Sequence, residues 1–230
     1  MNLFDVCVVG QIVKDYNFLP AKGKRFIKLP GGTAFYSTQA YNVLGLKTAV
    51  LTSFDKNDIF DLTPDFKNGK ISIFNNKNAT TTEFRNYYRK NKLNFRSQEA
   101  IFNNRPVRGK LAKAKIYHFG PLIFNDIDIT LYKAVKKLNG IKVIDIQGLY
   151  RNIREKKIIE KKNTIIKKFL KNFNILKCDT RELHLIKNSN DNNKIINYLF
   201  DLGLSEVIVT KGFFGSTIYS KSEGKISIPS

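Results

Sequence analysis

Four apolar residues in a row, Val6-Cys7-Val8-Val9, closed by Gly10, open the chain as a strand buried on both faces. Shorter runs over 12–19 and 25–29 predict two more strands, joined by a turn at Ala21-Lys22-Gly23. Apolar positions recur at helical spacing over 34–44 and stop at Gly45, which predicts a helix. Residues 48–52 and 71–74 predict strands. Residues 80–90 alternate in the manner of an edge strand, with Phe84, Asn86 and Tyr88 on one side and Arg85, Tyr87 and Arg89 on the other.

A regular alternation takes over from residue 116. Strands are expected over 116–119, 141–146, 173–176 and 206–210, and helices over 127–138, 153–170, 180–186 and 194–202. Two closing strands follow, over 216–220 and 225–228. Strands alternating with helices of this length imply right-handed βαβ units and a mostly parallel sheet covered on both faces. The expected architecture is a three-layer α/β/α sandwich, one domain spanning 1–230, with small strands within 11–30 and 80–97 set apart as a β flap. In such sheets ligands sit at the carboxyl ends of strands, here Gly10, Asp145, Cys178-Asp179 and Thr210.

Composition narrows the partners less than it first suggests. A net charge of +21 points toward nucleic acid or an anionic surface. The lysines, however, are spread along the chain among Asn and Ile, a pattern expected from AT-rich codons whatever the function. The densest cluster, 154–171, places Ile158, Ile159, Ile165, Ile166 and Phe169 at spacings that predict an amphipathic helix with a lysine-rich solvent face. A nucleic-acid-binding α/β protein therefore stands as the weaker alternative. Apolar runs are strand-sized, far short of a membrane span, and the N-terminus shows no secretory pattern. The two cysteines, Cys7 and Cys178, lack metal-ligand spacing and read as buried thiols of a cytoplasmic protein.

Candidate chemistry gathers at glycines. Pro30-Gly31-Gly32-Thr33 leads into the 34–44 helix, and a Gly-Gly step lets backbone amides approach a ligand, though it is also plain turn chemistry. Thr210-Lys211-Gly212-Phe213-Phe214-Gly215 is a second glycine-marked segment, which alone could be a hairpin between two strands. Asp179 with Glu182 three positions on forms a capping box by spacing. His118 at a strand end and His184 on a helix face read as packed or solvated residues.

Taken together, the opening strand with Asp15, Gly31-Gly32-Thr33, His118-Phe119-Gly120-Pro121-Leu122, Asp145-Ile146-Gln147-Gly148 and Thr210-Lys211-Gly212-Phe213-Phe214-Gly215 resemble the ribokinase (PfkB-type) carbohydrate kinase family along almost the whole chain. The resemblance implies transfer of the γ-phosphate of ATP, with Mg²⁺, to a hydroxymethyl group of a sugar, nucleoside or polyol. It implies that Asp15, Gly31, Gly32, Thr33, Tyr36 and Gln147 face the substrate. Thr210, Gly212 and Gly215 face the nucleotide, and Glu182 with Asp179 organises the metal. Tyr36 stands where many members carry Asn, which implies a bulkier, aromatic-lined pocket. A homodimer through the lid is compatible with this resemblance.

The family's catalytic base lies in a Gly-Ala-Gly-Asp type segment, and no Gly-x-Gly-Asp occurs in residues 1–230. The chain is therefore expected to be a C-terminally truncated kinase without turnover, or a binding-only relative that keeps the sugar-side pocket.

Overall fold

The computed structural model describes residues 3–19, 25–64, 66, 70–89, 92–101, 105–161, 165–187 and 189–230. The Ala21-Lys22-Gly23 turn lies outside them. The chain begins with β1 (Phe4–Val9), β2 (Val13–Leu19), β3 (Arg25–Gly31), α1 (Thr33–Val43), β4 (Thr48–Thr52), a short α2 (Ile59–Leu62) and β5 (Ile71–Asn75). Next come β6 (Glu83–Arg89), β7 (Lys92–Ile101), β8 (Ala114–Phe119), α3 (Ile129–Val135), β9 (Ile141–Asp145) and α4 (Gln147–Tyr150). A hairpin of β10 (Arg151–Arg154) and β11 (Lys157–Glu160) precedes α5 (Ile166–Leu170), β12 (Ile175–Asp179), α6 (Thr180–Ile186) and α7 (Asn192–Asp201). The chain closes with β13 (Glu206–Thr210), β14 (Ser216–Ser220) and β15 (Gly224–Ile228).

Nine strands form the main sheet, in the order β15-β14-β13-β12-β9-β8-β1-β4-β5. It is parallel from β13 to β5, and only the last two strands turn antiparallel. Val6, Val8 and Val50 point to one face, where they pack with Ala34 and Phe35 of α1. Cys7, Val9, Phe119, Ile144, Leu176 and Val207 point to the other, against α3, α5, α6 and α7. Strands buried on both sides in this way read as continuous apolar runs, which is why β1 and β4 are legible without alternation. Tyr132 of α3 stacks on Phe169 of α5 at 4.4 Å between ring centroids, tying the helical layer together. Beyond β8, the α1-side face carries half-exposed Ile141, Ile226 and Ile228, with no described helix over them. No helix among the described residues is long and apolar enough to cross a membrane.

A second, six-stranded sheet in the order β10-β11-β7-β6-β2-β3 makes the flap. It departs from the sequence expectation in two ways. First, β6 is an interior strand, parallel to β2 and antiparallel to β7, although its two sides are those the alternation gave. Second, the expected 153–170 helix is not one helix. Its first half is the β10–β11 hairpin, turning at Glu155 and Lys156 with φ of 49° and 66°. Ile153 and Ile158 face each other across the hairpin and pack on the cluster of Val13, Phe84 and Leu122. Tertiary burial of two β-branched residues outweighs their helical spacing, so the lysine-rich amphipathic surface expected over 154–171 does not exist as such.

Candidate functional site

The two sheets meet over a cavity of about 390 Å³, within the range of small-molecule sites. Its walls come from alternation on the flap strands. Val13, Asp15 and Asn17 of β2, and Phe84, Asn86 and Tyr88 of β6, all turn inward. Its floor is the start of α1, with Gly32, Thr33, Tyr36 and Ser37, together with His118, Asp145 and Lys177 on neighbouring strands of the main sheet. Leu122, Gln147 and Arg151 close one side.

Close approach sets the role of glycine at two positions beside the cavity. A Cβ at Gly31 would collide with the carboxylate of Asp15, so the missing side chain is what seats that acid. Gly32 has φ +92°, and a Cβ there would stand 2.5 Å from the carbonyl oxygen of Gln11.

The walls are polar and ordered. Gln98 Nε2 donates to Asn86 Oδ1 at 2.7 Å, and Asn86 Nδ2 donates to Asn17 Oδ1 at 3.0 Å, a relay of three amides across the flap. Lys177 Nζ pairs with Asp145 Oδ2 at 2.6 Å, while Asp145 Oδ1 accepts from the Gln147 amide. Burial lowers the Lys177 pKa, but the Asp145 charge outweighs it and the net shift is upward, so the lysine stays cationic. Gln147, with its amide oxygen turned to the guanidinium, accepts from Arg151 Nη2 at 2.6 Å. Polar walls, an aromatic rim and the Asp15 carboxylate suit a neutral ligand rich in hydroxyls, since amides donate to and accept from alcohols and a carboxylate accepts from them.

Loop 121–126 is held by Asp126, whose Oδ2 accepts from the backbone amides of Leu122 and Ile123. Burial pushes this carboxyl up to about 7 against those hydrogen bonds.

Of the residues singled out in the sequence, Asp15, Gly32, Thr33, Tyr36 and Gln147 all line this one cavity, with Gly31 directly behind Asp15. Thr210, Gly212, Gly215, Asp179 and Glu182 do not line it. They sit at adjacent strand ends: Asp145 pairs with Lys177 across β9–β12, and Asp179 with Thr210 across β12–β13. Two strand spacings therefore separate the β9 end from the β13 end, roughly 10 Å. Thr210 Oγ1 donates to the Cys178 carbonyl, and Gly212 and Gly215 take positive φ in the turn to β14. Asn17, Asn86, Gln98 and Lys177 were not candidate site residues in the sequence, and His118 read as packed or solvated. The inward pattern of β2 and β6 held the signal for the first two.

The Asp179–Glu182 capping box is formed in full: Asp179 Oδ1 accepts from the Glu182 amide and Glu182 Oε2 from the Asp179 amide. Asp179 Oδ2 and Glu182 Oε1 take no part in it. Burial and the adjacent Asp179 charge push Glu182 up to about 7, with partial relief from the Asp179 amide and Arg151. The unfolded chain releases this proton near pH 4.5. The folded chain holds it to about 7, so the stability it contributes is full below 4.5 and is lost as pH rises to about 7. Glu182→Gln keeps a capping-box side chain without a titrating group. Urea titrations should show the variant gaining on the native protein by about 2 kcal/mol between pH 5 and pH 8. A constant difference across that range would place the titration elsewhere.

No protein-family model and no curated protein sequence matches this chain. Solved structures do. A pyrophosphate-dependent kinase of the ribokinase family, complexed with a pyrophosphate analogue and myo-inositol, superposes with a TM-score of 0.80 at 21% identity, covering 98% of this chain and 79% of its own. The chain has the ribokinase fold. A sulfate complex of a pyrophosphate-dependent kinase in that family gives 0.82 at 20% identity, over 98% and 79% of the two chains. Arabidopsis thaliana ribokinase with ribose and ATP gives 0.69 at 17%, over 99% and 78%. The ribokinase fold accounts for the mixed sheet, the helical layers and the β flap closing over α1.

Proposed function

We propose that the protein binds a small polyhydroxylated acceptor, a sugar, nucleoside or polyol, in the cavity between the flap and α1. There it presents one hydroxyl to a phosphoryl donor, in the manner of a ribokinase-like kinase. The observation that carries this reading is the seat of Asp15: a carboxylate packed on a glycine that leaves it room, in the wall of a cavity rich in amide and hydroxyl groups. A carboxylate so placed accepts two hydroxyl hydrogens and fixes the orientation of the alcohol. Ser37 and the Thr33 end of α1 add hydroxyl and backbone partners on the floor.

The donor side is proposed at the β12 and β13 ends. Thr210, Gly212 and Gly215 would receive the phosphates of ATP on an open backbone turn. Mg²⁺ would be held through Asp179 Oδ2 and Glu182 Oε1. No group of three or more His, Cys, Asp or Glu ligands exists among the described residues, which fits a magnesium that keeps waters and donor oxygens for most of its shell. Bound there, the metal would neutralise charge on the transferred group. Pyrophosphate is a second candidate donor, since two of the superposed structures are pyrophosphate-dependent kinases.

Residues 1–230 contain no Gly-x-Gly-Asp segment. Asp145, the cavity's other carboxylate, is already paired with Lys177 and the Gln147 amide. Residues 1–230 by themselves are thus expected to bind acceptor without measurable phosphotransfer, because the segment that the resemblance associates with the base is not among them. The test is ³¹P NMR with ATP or pyrophosphate, Mg²⁺ and a panel of sugars, nucleosides and cyclitols. Acceptor-dependent consumption of either donor would show that the base lies among these residues. Absence of any acceptor binding by calorimetry would remove the acceptor site itself.

A further inference from the structure

His118 lies on the cavity floor with 8% of its surface exposed, in β8 between Val8 of β1 and Val143 of β9. One edge of its ring faces α1, where Tyr41 Oη lies 2.9 Å from Nδ1. The tyrosine hydroxyl makes no other hydrogen bond among the described residues, and when it donates, Nδ1 is its acceptor. That assignment places the imidazole proton on Nε2. Nε2 is itself buried and without a partner among the described residues. A buried donor left unmade costs about 1–3 kcal/mol, so such groups in native proteins are ordinarily matched by something that binds there.

Resting on the acceptor reading above, we propose that His118 is a specificity-determining residue whose Nε2–H donates to one hydroxyl oxygen of the bound acceptor, with Tyr41 fixing the tautomer from behind. The surroundings support a neutral donor. Burial pushes the ring's pKa down to about 4, Asp145 raising it and Lys177 lowering it, so the imidazole is uncharged at neutral pH. Asp15 on the flap accepts hydroxyl hydrogens, whereas His118 on the floor supplies one. The acceptor would then be read from two sides by groups of opposite hydrogen-bonding sense. A ring hydroxyl of one configuration can meet both, and its epimer cannot. An alcohol lacking that oxygen leaves the donor unmade, the arrangement that gives strong discrimination.

The test is ¹⁵N NMR of the histidine side chains in the 230-residue protein, titrated with myo-inositol, D-ribose, D-fructose and adenosine, with binding of each measured by calorimetry on the same sample. His184, whose Nε2 is 2.8 Å from Asn192 Oδ1 well away from the cavity, serves as the internal reference. The expected result is an Nε2-protonated His118 whose Nε2 resonance moves to saturation with the ligand that binds, while His184 stays fixed. His118→Phe should weaken that ligand about tenfold. A calorimetrically confirmed ligand that leaves the His118 resonance unmoved overturns this proposal and spares the acceptor site. Binding by none of the four compounds overturns both.

Discussion

Asp15→Ala is expected to weaken acceptor binding by about 100-fold or more, because two charge-assisted hydrogen bonds to the alcohol disappear together. The side chain sits on a flap strand whose backbone pairing, Asp15 with Leu29 and Phe84, does not depend on it. Gly31→Ala offers an independent route to the same loss. It adds one methyl group, removes no polar atom, and pushes the methyl into the space of the Asp15 carboxylate. If the seat of the acid is what matters, both variants lose affinity, as read by calorimetry against whichever acceptor the native protein binds. Loss in Asp15→Ala with full binding in Gly31→Ala would mean that the carboxylate works from another rotamer.

Gly148→Ala should be the most destabilising single-methyl change near the site. Gly148 donates to the Pro121 carbonyl at 3.1 Å, and a Cβ there would overlap the Pro121–Leu122 peptide itself. The displaced peptide carries the Leu122 amide, which with the next one, that of Ile123, donates to the buried Asp126 carboxylate. It cannot move without breaking those hydrogen bonds as well. An expected loss of about 3 kcal/mol or more follows from overpacking against backbone. Leu122 and Gln147 both line the cavity, so acceptor affinity should fall alongside stability in denaturant titrations and calorimetry. A variant within about 0.5 kcal/mol of native would show that the loop yields freely.

How far these features could be read from the chain depends on what fixes them. The buried strands β1 and β4 follow from runs such as Val6-Cys7-Val8-Val9, because a continuous apolar run this short has the length of a two-sided strand and not of a helix. Helix α6 was legible to the residue, since Asp179 and Glu182 form a cap that depends only on local spacing. The floor of the site was legible through Gly31 and Gly32, and its walls only in part. Asn17, Asn86 and Gln98 lie 12 to 69 residues apart along the chain in their hydrogen-bonded pairs, and only the pairing of β2, β6 and β7 brings them into one relay. The β10–β11 hairpin was misread for the same reason. Its isoleucines satisfy helical spacing, and what makes them strands is the Val13–Phe84 surface they cover. His118 read as a packed residue and is one, but its unpartnered Nε2 is visible only once Tyr41 is known to hold the opposite nitrogen.

The central claim is that the cavity between the flap and α1 is where the acceptor sits. A crystal structure of the 230-residue protein with a bound acceptor from the calorimetric panel tests it most directly. The account predicts density for the ligand with hydroxyls within hydrogen-bond distance of the Asp15 carboxylate and over Gly32, with Asn17 or Asn86 on the flap side. A ligand found instead in the apolar groove between Phe4, Phe74 and Leu111, with the Asp15 cavity holding only water, would contradict it.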